Sequence, residues 1–428
     1  MNRKIIYRIF LKRIKPFLKA VLFSGNRINE EIRDKYWYPL AFATYDESEI
    51  MEALDAMTSF KTSMFEKTLA FEKAFSNYQQ CKESIMVNSG SSADLLLSFL
   101  LTNPLNPLLK KGDKVLIPVL TWPTQIWSIM MAGLEPVFVD VDPKTLNIDY
   151  LDLEKKISNE TKAIFLVHIL GNPCNMDIIC NLSKKHNLII LEDCAEALGS
   201  KWDGKNVGTF GLGSAFSFFF SHHMTTMEGG MICVDDKSSA DHIRVMRSHG
   251  WTRNIDSSVF DKKNNQIEDK RYEFHNWGFN VRPTEVQAAF GIKQIEKLPA
   301  FNKKRTKISS EIFSFLYQYD FFLPTKVHPK GFASWLGIPI VLKNDCPFSI
   351  VEFSSYLEKS GIETRPILTG NILRQPVSSK LFSDISPKSF KGAEYIHKNG
   401  IYIGLSPNSS NGEIERLKKE IKLFINKF

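Results

Sequence analysis

The sequence predicts an α/β protein, with a large, mostly parallel sheet covered by helices on both faces and a smaller C-terminal α/β unit after it. Three observations carry this. Short apolar runs recur at 115–118, 136–141, 163–169, 188–193, 214–219 and 229–234, with amphipathic segments such as 151–157 and 181–185 between several of them. A small polar turn, Asn88-Ser89-Gly90-Ser91-Ser92, joins the apolar run Ile85-Met86-Val87 to a helical run at 93–101. Beyond about residue 298 the pattern changes to a long basic helix at 301–319, strands near 334–342 and 361–366, and a terminal amphipathic helix at 412–424. Continuously apolar strands are those buried on both faces, and sites in such sheets lie beyond the carboxyl ends of the strands.

At 428 residues the chain exceeds one ordinary core. The expected division is a basic extension (1–37), a large domain (38–297) and a small C-terminal domain (298–428). With 43% hydrophobic and 24% charged residues the composition is that of an ordinary globular protein. No apolar run reaches the roughly 18 residues of a membrane span, and Lys19 interrupts the one stretch that resembles a signal peptide. Six cysteines show no paired framework, so a cytoplasmic location is expected.

Charge is concentrated at the start. Residues 1–35 hold ten Lys/Arg against three acids, a net +7 of the chain's +8, and leave the body near neutral. No basic face or base-reading motif is visible there, so nucleic acid is not an expected partner. In the extension, Ile5, Ile6, Ile9, Phe10, Ile14, Phe17 and Leu18 alternate with basic residues at helical spacing. Such a helix suits either packing on the protein or weak contact with an anionic membrane surface, the first being the expected role.

The segment Ser217-Phe218-Phe219-Phe220-Ser221-His222-His223-Met224-Thr225-Thr226-Met227-Glu228-Gly229-Gly230 carries the most chemistry. It resembles the cofactor segment of the DegT/DnrJ/EryC1/StrS sugar aminotransferases, roughly S-F-x-x-x-K-x-x-T-T-x-E-G-G, and the register puts His222 where that family has lysine. Lysine holds the pyridoxal aldehyde covalently and shuttles the transamination proton. Imidazole cannot hold the aldehyde but remains a base near neutral pH. An arbitrary His-His pair is usually a structural pair, but the flanking motif favours the cofactor reading. The resemblance, spanning about 38–428, implies a fold-type I pyridoxal phosphate-dependent transferase, aspartate aminotransferase-like, with His222 as catalytic base.

It also implies roles for other residues. Gly90 and Ser91 offer backbone amides and Ser217 a hydroxyl to the cofactor phosphate, in a turn that alone would be only a weak signal. Trp122 matches the ring-stacking aromatic, and Asp193, with Glu196 three residues on, lies at the end of an apolar strand where the family contacts the pyridine nitrogen. A carboxylate–pyridinium pair at ~3 Å and an effective dielectric of ~20 is worth on the order of 5 kcal/mol before desolvation, enough to keep the ring protonated as an electron sink. The segment Phe279-Asn280-Val281-Arg282-Pro283-Thr284-Glu285 resembles G-[YF]-N-x-R-x-x-E, which implies a homodimer with a shared site in which Asn280 reaches the neighbour's cofactor. His249, Arg253 and Arg365 are candidates for diphosphate or glutamate carboxylate contacts, with surface ion pairing equally open for each.

The segments Ser221-His222-His223, 248–254 and 364–371 look most like the GDP-4-keto-6-deoxymannose 3-dehydratase branch of that family. The implied activity uses pyridoxal and pyridoxamine 5′-phosphate with L-glutamate as amino donor. A nucleotide-linked 4-keto-6-deoxyhexose loses its 3-hydroxyl, giving a 3-deoxy-4-ketosugar and ammonia. Arg374-Gln375-Pro376 and the extension look instead like the CDP-4-keto-6-deoxyglucose 3-dehydrase branch, which holds a [2Fe–2S] cluster and needs a reductase. The interval 234–297, where that branch has its cluster cysteines, contains no cysteine, so no metal is expected. The residues also leave room for an ordinary nucleotide-sugar aminotransferase that uses a lysine elsewhere in the chain, or for a non-enzymatic protein of the same fold.

Overall fold

The computed structural model describes residues 10, 13–17, 35–41, 43–252, 255, 260 and 270–428. Most of the basic extension and Arg253 lie outside the described residues; of the helix expected there, residues 13–17 are helical, with Phe10 and Phe17 exposed.

Helix α1 (Glu47–Thr58) begins in a capping box, with Asp46 accepting from the Ser48 amide and Glu49 from the Asp46 amide. Helix α2 (Glu66–Gln79) has no side-chain cap from Phe65. Its first turn is capped from a distance by the Glu285 carboxylate, which accepts from the amides of Phe65 (2.6 Å), Lys67 (2.8 Å) and Thr68 (2.9 Å) and from the Thr68 hydroxyl (2.6 Å).

Strand β1 (Glu83–Val87) then turns into α3 (Gly90–Leu101). The expected alternation follows as β2 (Lys114–Pro118), α4 (Pro123–Met131), β3 (Glu135–Val139), α5 (Tyr150–Lys156), β4 (Thr161–Val167), α6 (Met176–His186) and β5 (Ile189–Asp193). A two-strand ribbon, β6 (Lys201–Trp202) and β7 (Lys205–Asn206), leads to β8 (Gly213–Ser217), β9 (Gly230–Val234) and α7 (Lys237–Met246). The seven-stranded sheet has the order β1-β9-β8-β5-β4-β2-β3, and β9 alone runs against its neighbours.

Helix α8 (Glu285–Leu316) is followed by β10 (Gly331–Phe332), β11 (Gly337–Val341), α9 (Ile350–Lys359), β12 (Thr364–Pro366), α10 (Pro376–Leu381), α11 (Lys391–Asn399), β13 (Gly400–Gly404) and α12 (Asn411–Ile425). The second sheet, β11-β13-β12, is antiparallel throughout. The helix expected at 301–319 is the second part of α8, which starts 16 residues earlier and continues through Pro299. Proline there removes one backbone donor from the ladder. Tertiary packing overrides that local cost, since Leu298 and Phe301 on either side are buried. The expected division at 297/298 falls inside this helix, and we propose that α8 is shared by the two units. The middle strand β13, Gly-Ile-Tyr-Ile-Gly, has no counterpart among the expected elements.

The cap on α2 yields a test. Glu285→Gln replaces a carboxylate accepting four donors with an amide that presents donors of its own. The variant is expected to lose about 1–3 kcal/mol in denaturant unfolding at neutral pH. The midpoint should fall with the slope unchanged.

Candidate active site

The chain arrives at one region from the carboxyl ends of four parallel strands. Asn88–Ser91 follow β1, Trp122 follows β2, Asp193 ends β5, and Ser217 ends β8 with His222 five residues beyond. Ser89 caps α3 by accepting from the Ser92 amide (3.1 Å), and the Ser92 hydroxyl donates to Asn88 (2.6 Å). The amides of Gly90 and Ser91, in the first turn, have no intrahelical acceptor. A Cβ on Gly90 would come within 2.5 Å of Ser217 Cβ, and one on Gly230 within 2.3 Å of the Ser89 carbonyl oxygen. Only glycine therefore lets the helix start touch the ends of β8 and β9. The result is a cradle of amides and the hydroxyls of Ser91, Thr124 (3.2 Å from Ser91) and Ser217, at the positive end of a 12-residue helix. These donors fit a phosphate.

Beside the cradle stand two carboxyls, Asp193 buried and Glu196 half-buried. Burial pushes Asp193 up to about 6, although the Ala195 amide donates to it at 2.8 Å. Burial pushes Glu196 up to about 7 against the Leu170 amide, which donates at 2.8 Å. A cationic ring would reverse both shifts. Trp122, on the residue before the Pro123 start of α4, is 55% exposed.

The His222 loop runs from β8 to β9 and is held from one side by α8. Arg305 donates to the carbonyls of His223 (3.0 Å), His222 (3.5 Å) and Leu405 (3.4 Å), while Gln294 accepts from the Thr225 amide (3.1 Å). Arg305 is 3% exposed, and burial lowers its pKa to about 10. His222 is half-buried, with Nδ1 enclosed and unpartnered. Burial, aided by the Arg305 charge, lowers it to about 4 against the Ser217 backbone, which favours the protonated form. His222 is thus a neutral base at physiological pH. Its neighbour His223 is fixed instead, with Nε2 donating to the Ser334 carbonyl at 2.8 Å.

The family model described as the DegT/DnrJ/EryC1/StrS aminotransferase family matches residues 43–422. The chain belongs to this family. It is 37% identical over 391 residues to a GDP-4-keto-6-deoxy-D-mannose 3-dehydratase of Yersinia pseudotuberculosis, covering 91% of this chain and 97% of that one. Among solved structures, the E. coli GDP-4-keto-6-deoxy-D-mannose-3-dehydratase with bound hydrated PLP is similar with a TM-score of 0.83 at 36% identity, over 90% of this chain and 99% of that one. A GDP-4-keto-6-deoxymannose-3-dehydratase with a trapped PLP–glutamate geminal diamine has a TM-score of 0.84, again at 36% identity and over 90% and 100% of the two chains. The fold is accordingly the fold-type I, aspartate aminotransferase-like α/β fold expected from the sequence.

Within this aminotransferase-family fold, the remaining candidates lie at the edges of the site. Asn280 is exposed, accepts from its own Arg282 (2.9 Å), and pairs by an isolated bridge with Ser248, next to the exposed His249. Both are exposed on this chain, and Val281, next to Asn280, accepts from the Asn88 amide of the cradle turn at 3.0 Å. Arg365, on β12, is half exposed and is bound to Glu363 at 2.7 Å. It shares a row with Tyr402 of β13, whose hydroxyl senses the Glu196 charge. Among the described residues, His168, Glu192 and Cys194 hold donor atoms within 4.8 Å of one another. Their bonding is already used internally. His168 accepts from the Cys174 amide and meets Glu192 at 3.2 Å, and Glu192 accepts from the amides of Gly208, Phe210 and Gly211.

Sequence reasoning passed over Arg305, which lies in the basic run Lys303-Lys304-Arg305. Its signal was there in the spacing, since Leu298, Phe301, Arg305, Ile308 and Ile312 form one helical stripe on which the other four are buried.

The cradle gives the second test. Gly90→Ala puts a methyl against Ser217 and moves the helix start, and is expected to weaken pyridoxal phosphate binding at least about 10-fold, a cost of ~1.4 kcal/mol. Equilibrium dialysis measures the affinity, and circular dichroism of the same variant shows that the fold is kept.

Proposed function

We propose that this chain is a pyridoxal/pyridoxamine 5′-phosphate-dependent 3-dehydratase. It would remove the 3-hydroxyl of a nucleotide-linked 4-keto-6-deoxyhexose, with L-glutamate as amino donor, in deoxysugar biosynthesis of the O-antigen or lipopolysaccharide type. The observation that carries this is a neutral His222 standing at the position of the family's lysine, in a loop that otherwise keeps the family's register. The relatives that support the substrate class are named 3-dehydratases of GDP-4-keto-6-deoxymannose.

Gly90, Ser91 and Ser217 would hold the phosphate, Asp193 the ring nitrogen, Glu196 the ring's polar edge and Trp122 its face. When bound, the cofactor supplies an amine for the sugar ketone and an electron sink for the charge that develops as the hydroxyl leaves. His222 takes the cofactor C4′ proton on a ring nitrogen that burial leaves unprotonated at neutral pH. Arg305 keeps that ring in place through its carbonyl, and its charge adds to the burial that leaves one ring nitrogen free to accept the proton. Asp193 answers the positive charge on the ring nitrogen. His249, Arg253 and Arg365 are assigned to the diphosphate or to the glutamate carboxylate. The protein is further proposed to be a cytoplasmic homodimer, with Asn280 of the partner subunit completing the phosphate site. Among the described residues no helix is long and apolar enough to cross a membrane.

Incubation with glutamate, pyridoxal phosphate and a panel of nucleotide 4-keto-6-deoxysugars, with mass detection of water loss, tests the assignment. Product, ammonia and 2-oxoglutarate should form without iron or a reductase. A requirement for an NADH-driven reductase would favour the iron-dependent dehydrase reading instead.

His222→Asn should lose at least about 10²-fold in turnover, the scale of a general base, while keeping the cofactor. In the parent protein the pKa is depressed to about 4, so the base form is already present above that pH. The acid-side fall in kcat due to His222 is therefore expected below the ordinary imidazole value of about 6.5. A fall centred at or above that value would contradict the assignment.

Mixing Asn280→Ala subunits with His222→Asn subunits should restore part of the activity that each lacks alone. One of the two composite sites in each heterodimer would carry neither substitution. Verified heterodimers that remain inactive would count against the shared site.

A further inference from the structure

Asp94 lies one turn into α3, 4% exposed, with Oδ1 enclosed and without a hydrogen-bond partner. Residues 90, 94 and 97 share one face of that helix. A Cβ on Gly90 would meet Ser217 at 2.5 Å, and a Cβ on Gly213 would meet Leu97 Cδ2 at 2.7 Å. The face thus runs along β8 from its last residue to its first, and Asp94 lies over the middle residue, Ala215. Ala215 is the register partner of Asp193 on β5. Residues 213, 215 and 217 point to one side of the sheet, and a residue in the same row points the same way. Asp94 and Asp193 therefore lie on the same side of the sheet at the level of Ala215, close enough for the Asp193 charge to act on Asp94.

Among the described residues, the surroundings supply no counter-ion for Asp94. Helix α4, packed on α3, carries no titratable residue. On α7, also packed on α3, Asp241 engages Lys237 and Arg244, and His242 is held neutral by burial. Glu72 and Met86 take up Arg247. On the other side, His168 acts on Asp193, and Glu196 adds a further carboxyl. Burial and the Asp193 charge push Asp94 well above the usual carboxylate range. Two carboxyls so placed cannot readily ionise together.

We propose that Asp94 is a second carboxyl of the cofactor pocket, which shares one proton with Asp193 and yields it to the pyridine nitrogen when the cofactor binds. The proposal rests on the reading of the chain as a pyridoxal phosphate enzyme. The carboxyl O–H bond breaks, an N–H bond forms on the ring, and the pair is left doubly anionic beside one pyridinium. No other reactant is needed. Asp94 would act through the ring's protonation and through Asp193, as a positioning and charge-setting residue.

The test uses cofactor enriched with nitrogen-15 at the ring nitrogen, bound to the parent protein, to Asp94→Asn and to Asp94→Ser. Ring-nitrogen NMR reads protonation directly as pH is raised. In both variants deprotonation is expected to begin at least about one pH unit lower than in the parent, the shift that loss of a nearby opposite charge produces. Affinity for pyridoxal phosphate should fall about 10-fold. The Asp94→Asn apoprotein should melt above the parent at neutral pH, since an unpaired buried carboxyl has been replaced by a neutral isostere. An unchanged ring titration in both variants overturns the role of Asp94 while leaving the proposed function standing. A parent protein that binds no pyridoxal phosphate overturns both.

Discussion

The contact between the start of α3 and the end of β8 sets the geometry of everything around it. It is possible only because Gly90 has no side chain, a Cβ there lying 2.5 Å from Ser217. From that one approach follow the cluster of amides and hydroxyls for an anion and the descent of α3 along β8. With that descent, Asp94 comes opposite Asp193 and Leu97 packs on Gly213. Because helix and strand are both rigid, a shift at Gly90 would be transmitted along the whole face rather than absorbed locally.

A second constraint acts on the opposite side of the site. Arg305 is a buried guanidinium whose hydrogen bonds, among the described residues, go to carbonyl oxygens and not to an acid. Paired with a carboxylate, it would have little effect on its neighbours. Bonded to carbonyls, it keeps its full charge close to His222 and helps hold that ring neutral. The same donors pin the loop backbone, so Arg305 fixes the position of the ring and adds to the burial that keeps it neutral. An arrangement of this kind is costly to bury and specific in what it enforces.

Much of this was legible in the sequence where the signal is local. The apolar runs marked the strands of the large sheet. The Ser217–Gly230 register marked the loop, its missing lysine and, with the other motif residues, the family. What escaped was set by contacts distant in sequence. The start of α8 was hidden because Pro299 reads as a boundary, and α8 runs through it on the strength of burial. Strand β13 was hidden because three residues between glycines are too few to show a period, and it is held by partners on both sides, β11 and β12. Arg305 looked like one more basic residue in a basic helix. Asp94 looked like a polar residue in an apolar one. Neither role can be assigned until the helix face and the strand register are known. The roles proposed for Asn280 and His249 involve a surface that a single chain leaves exposed.

The titrating groups divide into two sets displaced in opposite senses. Burial holds His222 near 4, while Asp193 and Glu196 are raised to about 6 and about 7. Pairs of groups driven apart in this way are how one site keeps a base ready to accept a proton and acids ready to give one. The displacement has a spatial order as well. Unpaired amides and the positive helix end lie at the first turn of α3, and the carboxyl pair lies one turn further along the same helix. An anion suits the first position and a cation the second. A molecule with a phosphate at one end and a basic ring nitrogen at the other would relieve both unfavourable terms at once, so binding it would stabilise the fold as well as equip the site.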